Sequence, residues 1–404
     1  MAKFFYIHRE IEKIIVKAVN QFPAVVLTGP RQSGKSTMLK QLFSDQYKYI
    51  SFDDPLNRER ALSDPKFFLG SLGEKVILDE IQYVPQLLSY VKIIIDENRQ
   101  KKGPFIFTGS QQFNMIRNLG DTLAGRVAIF ELLPFSIYEK SNAIKNKSFS
   151  SPEEYFVHSC LRGSFPEIVV DKKMDSRIWY GSYVQTYLER DIRMFFNIGY
   201  LRDFQGCLQL LASRTAQILN LSSLSAELGV AVNTVKKWIS ILEATRIIYL
   251  LRPYYRNIGK RITKSPKIYF LDCGLVSYLL SINNREFLLN GPVAGALFEN
   301  FCIQETIKVI MNYNKRAGLY YLRSHNGFEV DLIIEKDGKL YPVEFKLTKT
   351  PAVEMGSAIK RFRQSFTGLP VMSGKIVSFC EESIPLSPDV SIASFDDYLA
   401  WLQR

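Results

Sequence analysis

The sequence is poor in the residues that build disulfide frameworks and zinc sites. Its 404 residues include three histidines and five cysteines, and the cysteines are scattered without metal-type pairing. An odd, unpaired set of cysteines is typical of reduced thiols in a cytosolic protein and gives no basis for a zinc site. We therefore expect a cytoplasmic protein whose thiols are reduced.

Long hydrophobic runs, internal repeats and low-complexity tracts are also absent. No run approaches the ~20 apolar residues of a membrane-spanning helix, so no membrane span is predicted. The first segment, MAKFFYIHREIEKIIVKAV, interrupts its apolar positions with charges every few residues. This pattern predicts a helix rather than a signal peptide.

The charges that are present are unbalanced. The 52 Lys and Arg residues exceed the 40 Asp and Glu residues, which gives a net charge of +12. This excess favours a polyanionic partner, with nucleic acid ahead of an anionic membrane surface, although a basic balance also serves solubility alone. The length and a hydrophobic content of 47% predict two to four domains with packed cores.

Short apolar runs alternate with helical patterns through the first 140 residues. The predicted strands are AVVLTG, YKYISFDD, KVILDE, PFIFTGS and RVAIFELLPFS. Such alternation is typical of a parallel sheet whose strands are joined by crossover helices. We predict an α/β fold with a parallel-sheet core in residues 1–140.

A glycine-rich segment between the first strand and the next helix matches G-x-x-x-x-G-K-[ST] in full. Backbone N–H groups of such a loop point at phosphate oxygens, and the following helix adds its positive end. Lys35 would reach the β- and γ-phosphates, and the Ser36 hydroxyl would ligate Mg²⁺. The alternative is a glycine turn with a surface lysine. The predicted nucleotide-binding residues of the loop are Gly29, Pro30, Arg31, Gln32, Ser33, Gly34, Lys35, Ser36 and Thr37.

Polar residues follow two further strands of the predicted core. In VILDE, Asp79 would hold Mg²⁺ and Glu80 would polarise the attacking water, unless both are solvent-facing acids. In FIFTGS, Thr108 or Ser110 could sense the γ-phosphate, although Thr-Gly-Ser is also ordinary turn chemistry. These residues predict Mg²⁺-dependent ATP hydrolysis.

The ordered segments LTGPRQSGKST, YISFDDP, VILDEIQYVP, FTGSQQF and LAGRVAIFELLPFS resemble the bacterial and archaeal AAA-type ATPases that have a C-terminal domain of unknown function. SFPEIV and YVQTYLERDIR resemble stretches that follow that family's ATPase core, and the likeness extends to about residue 350. The resemblance implies that Arg126 contacts the γ-phosphate, from the same or a neighbouring subunit. It also implies that a homo-oligomer is possible.

A helical region is predicted after the polar segment 141–154. Within it, LSAELGVAVNTVKKWISIL resembles a helix-turn-helix in which Leu224, Leu228, Val235 and Trp238 face a core and Gly229 permits the turn. The residues on or near the exposed side would be Asn233, Thr234, Lys236 and Lys237. Two later strands would form a wing with a positive stripe of Arg252, Arg256, Lys260, Arg261, Lys264 and Lys267. These polar and basic side chains predict contact with DNA bases and phosphates. The alternative is that this region is a packing module beside the ATPase core.

The last hundred residues return to mixed α/β structure. Glu299 lies on a predicted helix, Asp331 on a strand, and Glu344 and Lys346 share one face of the next strand. This order resembles the PD-(D/E)XK nuclease fold, in which the three carboxylates would bind Mg²⁺ and Lys346 would orient water. An edge hairpin with alternating surface charges, or a nuclease-like fold used only for binding, are the alternatives.

These interpretations predict four domains. They are a P-loop AAA-type ATPase core at 1–140, a helical lid or connector at 141–200, a winged helix-turn-helix at 201–275 and a PD-(D/E)XK-like domain at 276–404. We expect an ATPase that binds ATP and Mg²⁺ and acts on or with nucleic acid, DNA rather than RNA. A slow DNA-binding switch and an ATP-gated nuclease are the alternatives.

Overall fold

The chain divides into two compact units. The first comprises Met1–Phe135, Ala244–Arg246 and Met311–Asn314, and the second comprises the remainder. The predicted boundary after residue 140 lies close to the end of the first long segment, whereas the predicted boundaries after residues 200 and 275 lie inside the second unit. The computed structural model describes residues 6–109, 123–144, 151–188, 201–255, 264–324 and 327–404.

The first unit alternates strands and helices along the chain. Its helices are α1 Glu12–Val19, α2 Lys35–Phe43, α3 Pro55–Ser63, α4 Pro65–Gly70 and α5 Leu87–Glu97. Its strands are β1 Ala24–Thr28, β2 Lys48–Ser51, β3 Val76–Asp79, β4 Phe105–Thr108 and β5 Val127–Glu131. All five strands coincide with the apolar runs of the sequence.

These strands form one sheet in the order β2-β3-β4-β1-β5, and every pair is parallel. The predicted parallel-sheet core is therefore confirmed. β1 lies inside the sheet, and all five of its residues are buried. Val26 packs in one hydrophobic cluster, while Val25 and Leu27 pack in another. Because both faces are covered, the strand has no polar face, which explains its unbroken apolar run.

The second unit begins with helices and ends with a mixed sheet. Its helices are α6 Ile137–Ala143, α7 Pro152–Arg162, α8 Pro166–Val170, α9 Ser176–Tyr183, α10 Leu201–Ser213, α11 Leu221–Leu228, α12 Val232–Ala244, α13 Cys273–Leu279, α14 Arg285–Asn290, α15 Ala294–Asn312, α16 Ser357–Ser365 and α17 Phe395–Gln403. Its strands are β6 Ile248–Pro253, β7 Lys267–Phe270, β8 Gly318–Arg323, β9 Glu329–Lys336, β10 Lys339–Phe345, β11 Gly374–Ser378, β12 Ile384–Ser387 and β13 Val390–Ser394.

The eight strands of the second unit form a single sheet in the order β12-β13-β11-β10-β9-β8-β6-β7. β6 and β7 form the antiparallel pair that the sequence predicts as a wing. β6 also pairs in parallel with β8, through Arg252 and Pro253. The base of the predicted wing is thus continuous with the sheet of the C-terminal region.

Two further features concern the described part of the chain as a whole. None of its helices combines the length and the apolar composition that crossing a membrane requires. All five cysteines are free and buried. Burial raises the pKa of Cys160, Cys207 and Cys302, which keeps these thiols protonated and unreactive.

Candidate functional site

The glycine-rich loop leaves β1 in a backbone conformation that its sequence is suited to adopt. Gly29 has φ +138°, and a Cβ atom there would lie 2.2 Å from the carbonyl oxygen of Leu132. Gly34 is left-handed, with φ 92° and ψ 18°, and α2 begins immediately after it without a side-chain cap. Gly34 has no side chain that could accept a hydrogen bond from the first N–H groups of α2. These N–H groups therefore point toward the loop without a capping side chain.

Lys35 is buried at the start of α2, although a free lysine prefers solvent. Its ammonium donates hydrogen bonds to the carbonyl oxygens of Gly29, at 3.0 Å, and Pro30, at 2.8 Å. The loop thus folds around the ammonium. Among its other predicted members, Ser33 is fully buried, Arg31 and Gln32 are half-buried, and Thr37 is exposed.

The Asp79 carboxylate, at the end of β3, connects the end of β4 to the first turn of α2. The Ser36 hydroxyl lies 3.1 and 3.2 Å from its two oxygens. The Thr108 hydroxyl, at the end of β4, donates to the same carboxylate. Asp79 is 4% exposed, so a cluster of hard oxygen ligands is held in a partly dry environment. The predicted neighbourhood of Ser36, Asp79 and Thr108 is present, and Ser110 lies outside the described residues.

Tyr49 also contacts this cluster, which sequence patterns did not predict. Its hydroxyl, on β2, donates to Asp79. Burial, and then the hydrogen bond to Asp79, raise the pKa of Tyr49, so the phenol remains a donor. Tyr49 is the second residue of β2 and gave no signal, because a tyrosine within a strand usually only packs.

Glu80 follows Asp79 in a left-handed conformation, with φ 57° and ψ 44°. Such a conformation is unfavourable for a residue with a Cβ atom, and it occurs preferentially at functional sites. The amide of Gln82 donates to the Glu80 carboxylate. The chain therefore turns sharply after β3 and aims Glu80 differently from Asp79.

Arg126 lies far from the glycine-rich loop of its own chain. It directly precedes β5, whose first residue pairs with Ala24 at the start of β1, whereas the loop follows the end of β1. At ~3.3 Å per residue, the length of β1 separates them by about 17 Å. Arg126 instead donates to both oxygens of Asp96, at 2.7 and 2.9 Å, and these bonds lower the pKa of Asp96. The structure therefore places Arg126 away from the phosphate loop of its own chain, and a role for it in nucleotide contact stays a prediction.

The second unit displays part of the predicted nucleic-acid surface. On α12, Asn233, Lys236 and Lys237 are exposed, while Val235 and Trp238 are buried. Leu224 of α11 is buried, Leu228 is half-buried, Thr234 is half-buried, and Gly229 ends α11 with φ 65°. The two faces of α12 thus have the polarity that the sequence predicts.

One member of the predicted positive stripe, Lys267, is buried instead of exposed. Lys267 is 2% exposed, and its ammonium donates to Glu299 at 2.9 Å and also pairs with Glu329. Burial favours its neutral form, but the charges of Glu299, Asp331 and Glu329 outweigh this and raise its pKa. The prediction that Lys267 contacts DNA is therefore wrong. Lys264 is exposed and Arg252 half-buried, while Arg256, Lys260 and Arg261 lie outside the described residues.

The predicted acidic residues of the C-terminal region are brought together on neighbouring elements. The Lys346 ammonium lies 2.6 Å from Glu344 and 3.5 Å from Asp331. The backbone N–H of Phe345 donates to Asp331 at 2.9 Å. Glu299, on α15, accepts from Lys267 and, at 2.6 Å, from the hydroxyl of Tyr269. Sequence patterns did not place Lys267 or Tyr269 beside Glu299, because the β7 segment has no motif that marks it as part of an acidic cluster.

Burial dominates the electrostatics of this acidic cluster. Burial, and then the charge of Asp331, raise the pKa of Glu299 to about 7 and that of Glu344 to about 8. One oxygen of Glu344 has no hydrogen-bond partner. The ammonium groups of Lys267 and Lys346 nevertheless pair with Glu299 and Glu344. Within the described ranges, no three His, Cys, Asp or Glu side chains are arranged as a metal site.

Comparison with known families supports the assignment of the first unit. Residues 21–140 match the family described as "AAA domain". The comparisons thus support an AAA-type, P-loop ATPase. Downstream of the AAA domain, residues 153–286 match a domain of unknown function (DUF8612), and residues 294–397 match another (DUF4143).

The curated relatives of this chain match most of its length. Uncharacterized proteins of Mycobacterium tuberculosis and Mycobacterium bovis are each 29% identical over 95% of this chain and 82% of their own. An uncharacterized protein of Methanocaldococcus jannaschii is 24% identical over 68% of this chain and 66% of its own. Among solved structures, a Walker-type ATPase of Pyrococcus abyssi is 16% identical, with a TM-score of 0.47, over 67% of this chain and 95% of its own.

Proposed function

We propose that this protein is a Mg²⁺-dependent ATPase whose nucleotide lies at the carboxyl edge of the first sheet. The observation that supports this most strongly is the cluster of Ser36, Asp79 and Thr108 beside the start of α2. A hydroxyl and a carboxylate next to a helix N-terminus serve both parts of a metal–triphosphate complex.

The loop residues bind and orient the phosphates in this proposal. Lys35 exchanges its carbonyl partners, Gly29 and Pro30, for phosphate oxygens, and the N–H groups at the start of α2 donate to the same anion. Thr108 keeps Asp79 oriented and can signal a change at the γ-phosphate. Of these groups, the Lys35 ammonium would neutralise the charge that hydrolysis spreads over the phosphoryl oxygens.

Magnesium fits the oxygen atoms that the structure brings together. The Ser36 hydroxyl and the Asp79 carboxylate are hard ligands, and they lie within 3.2 Å of each other. When bound, Mg²⁺ would be held by Ser36 and Asp79 and would supply positive charge that neutralises the phosphates. Tyr49 and Thr108 hold the carboxylate in place by hydrogen bonds.

Glu80 is the proposed base that orients the attacking water. Its left-handed backbone gives its side chain a different direction from that of Asp79, the proposed metal ligand before it. The two adjacent acids therefore divide two tasks, which favours turnover over mere nucleotide binding. The direct test is release of phosphate from ATP by purified protein, measured with and without Mg²⁺.

We further propose that Arg126 acts on the ATP of a neighbouring subunit, since it cannot reach its own loop. In a head-to-tail assembly, the arginine of one copy would meet the phosphate loop of the next. Its bond to Asp96 would then keep the guanidinium oriented until the subunits associate.

Mixing two inactive variants tests this arrangement. Arg126→Ala and Lys35→Ala should each lack ATP turnover alone. Random mixing in equal amounts should restore about a quarter of the interfaces, because a quarter combine an intact loop with an intact arginine. Phosphate release by the mixture measures this. Full activity of Arg126→Ala, or no recovery on mixing, would remove Arg126 from the site.

Nucleic acid is the proposed partner, with DNA preferred to RNA. The net charge of +12 and the exposed face of α12, with Asn233, Lys236 and Lys237, support this proposal. An ATPase assay in the presence of single- and double-stranded DNA and RNA, with the products run on a gel, reports stimulation and cleavage together. A packing role for α12 predicts that none of these polymers changes turnover.

A nuclease is the second candidate function, favoured by the unpartnered, buried oxygen of Glu344 beside Asp331 and Lys346. The carboxylates of Glu299, Asp331 and Glu344 would bind the cation, and Lys346 would orient water. Lys267 and Lys346 would have to release Glu299 and Glu344 first. This requirement makes cleavage the weaker candidate.

The cleavage candidate makes a specific prediction. Mg²⁺- or Mn²⁺-dependent nicking of DNA should fall about 100-fold or more in Asp331→Asn. Asp337→Asn is the matched control, because Asp337 is an exposed turn residue of the same hairpin. If the wild-type protein leaves DNA and RNA intact with either metal, this candidate is withdrawn while the ATPase proposal stands.

A further inference from the structure

Arg9 is a buried arginine that no sequence motif marks. It is 5% exposed and precedes α1. Its Nη1 donates to the carbonyl oxygen of Ser33 at 2.8 Å, and its Nη2 donates to that of Leu133 at 2.7 Å. The guanidinium carbon lies 4.8 Å from the centroid of the Phe135 ring. One side chain thus connects the phosphate loop to the segment that follows β5.

The carbonyl that Arg9 holds belongs to the phosphate loop itself. The C=O of Ser33 and the N–H of Gly34 are parts of one peptide group, and this peptide is trans. In a planar trans peptide, the N–H points away from the C=O. Fixing the carbonyl of Ser33 against Arg9 therefore fixes the direction of the Gly34 N–H at the start of α2.

The backbone on both sides of Ser33 needs such support. Gln32 has φ 60° and Gly34 has φ 92°, so Ser33 lies between two left-handed residues. For Gln32, which has a Cβ atom, this conformation is unfavourable and persists only where surrounding contacts enforce it. A charge-assisted hydrogen bond from a buried guanidinium is a contact of that kind.

The segment after β5 supports both ends of the loop. The carbonyl oxygen of Leu132 lies against Gly29. The carbonyl oxygens of Leu133 and Ser33 both accept hydrogen bonds from the Arg9 guanidinium. Arg9 is itself fixed, because its backbone N–H donates to Glu12 at 2.6 Å. The hydroxyl of Tyr6 donates to the same Glu12 oxygen. The loop is therefore clamped to a neighbouring part of its own unit.

We propose that Arg9 is a positioning residue for ATP, which presets the phosphate-loop amides without touching the nucleotide. This inference rests on the proposed ATPase function. Preset amides bind the phosphates in the ground state and the transition state alike. Their loss should therefore weaken substrate binding and leave the chemical step almost unchanged.

Steady-state kinetics of Arg9→Met test this role. The KM for ATP should rise about tenfold, while kcat stays within about twofold of wild type. A merely structural role gives a different result, because partial unfolding lowers kcat with the active fraction and leaves KM unchanged. An unchanged KM in the folded variant overturns the inference, whatever happens to kcat.

Two further variants keep the experiment decisive. Arg9→Lys retains the charge but not the two-pronged donor, so its KM should lie between wild type and Arg9→Met; it decides the question if Arg9→Met does not fold. Arg162→Met is the control, because Arg162 also bridges two carbonyl oxygens, of Met174 and Asp171, at 2.8 and 2.7 Å. Its KM should match wild type. A wild-type protein without turnover would instead contradict the ATPase proposal.

Discussion

Replacing Lys35 with alanine should lower ATP turnover by at least about 100-fold, because it removes a buried cation from the developing charge of the phosphoryl group. The effect should also extend to binding, since the ammonium, now held by Gly29 and Pro30, is the charge that the phosphates would meet first. Both kcat/KM from phosphate release and the affinity for ATP from calorimetry should fall.

Lys17→Ala is a suitable control for this substitution. Lys17 lies in α1 and is exposed, so its loss removes the same charge from the surface without altering the loop. Its turnover should equal that of wild type. Wild-type activity of a folded Lys35→Ala protein would show that ATP is hydrolysed elsewhere in the protein.

Glu80→Gln should separate binding from hydrolysis. The amide keeps the shape of the side chain but cannot accept a proton from water, so kcat should fall about 100-fold or more. The loop and the Asp79 cluster remain intact, so the affinity for ATP should stay within about threefold of wild type. Single-turnover kinetics and calorimetry on the same preparation measure the two quantities.

Glu74→Gln serves as the control for the loss of a carboxylate near β3. Glu74 is exposed and pairs with Lys101 at 3.1 Å on the surface. It should leave both quantities unchanged. If Glu80→Gln retains turnover, then another residue orients the water. If it loses ATP binding, then Glu80 supports the fold of the site instead.

The sequence predicts the first sheet well because the physics there is local. A strand covered on both faces must be apolar throughout, so β1, β3 and β4 are recognisable without knowledge of their neighbours. Polar residues at the carboxyl ends of such strands must meet at one edge. The neighbourhood of Asp79 and Thr108 follows from that rule, whereas Tyr49 does not, because its strand is only partly buried.

Contacts that depend on distant segments were beyond prediction. Lys267 looks like a surface charge beside other basic residues, and only the packing of β7 near α15 shows that it pairs with Glu299. Arg9 likewise has no signal, because its partners are backbone carbonyl groups. The position of Arg126 depends on strand register, which the sequence of one strand does not determine.

The most direct test of the central claim is calorimetric titration of the 404-residue protein with ADP in the presence of Mg²⁺. A preset phosphate loop predicts saturable binding with one nucleotide per chain, and a large loss of affinity in Lys35→Ala. No heat of binding for either ADP or ATP, from protein that melts cooperatively, would contradict the assignment of this loop as a nucleotide site.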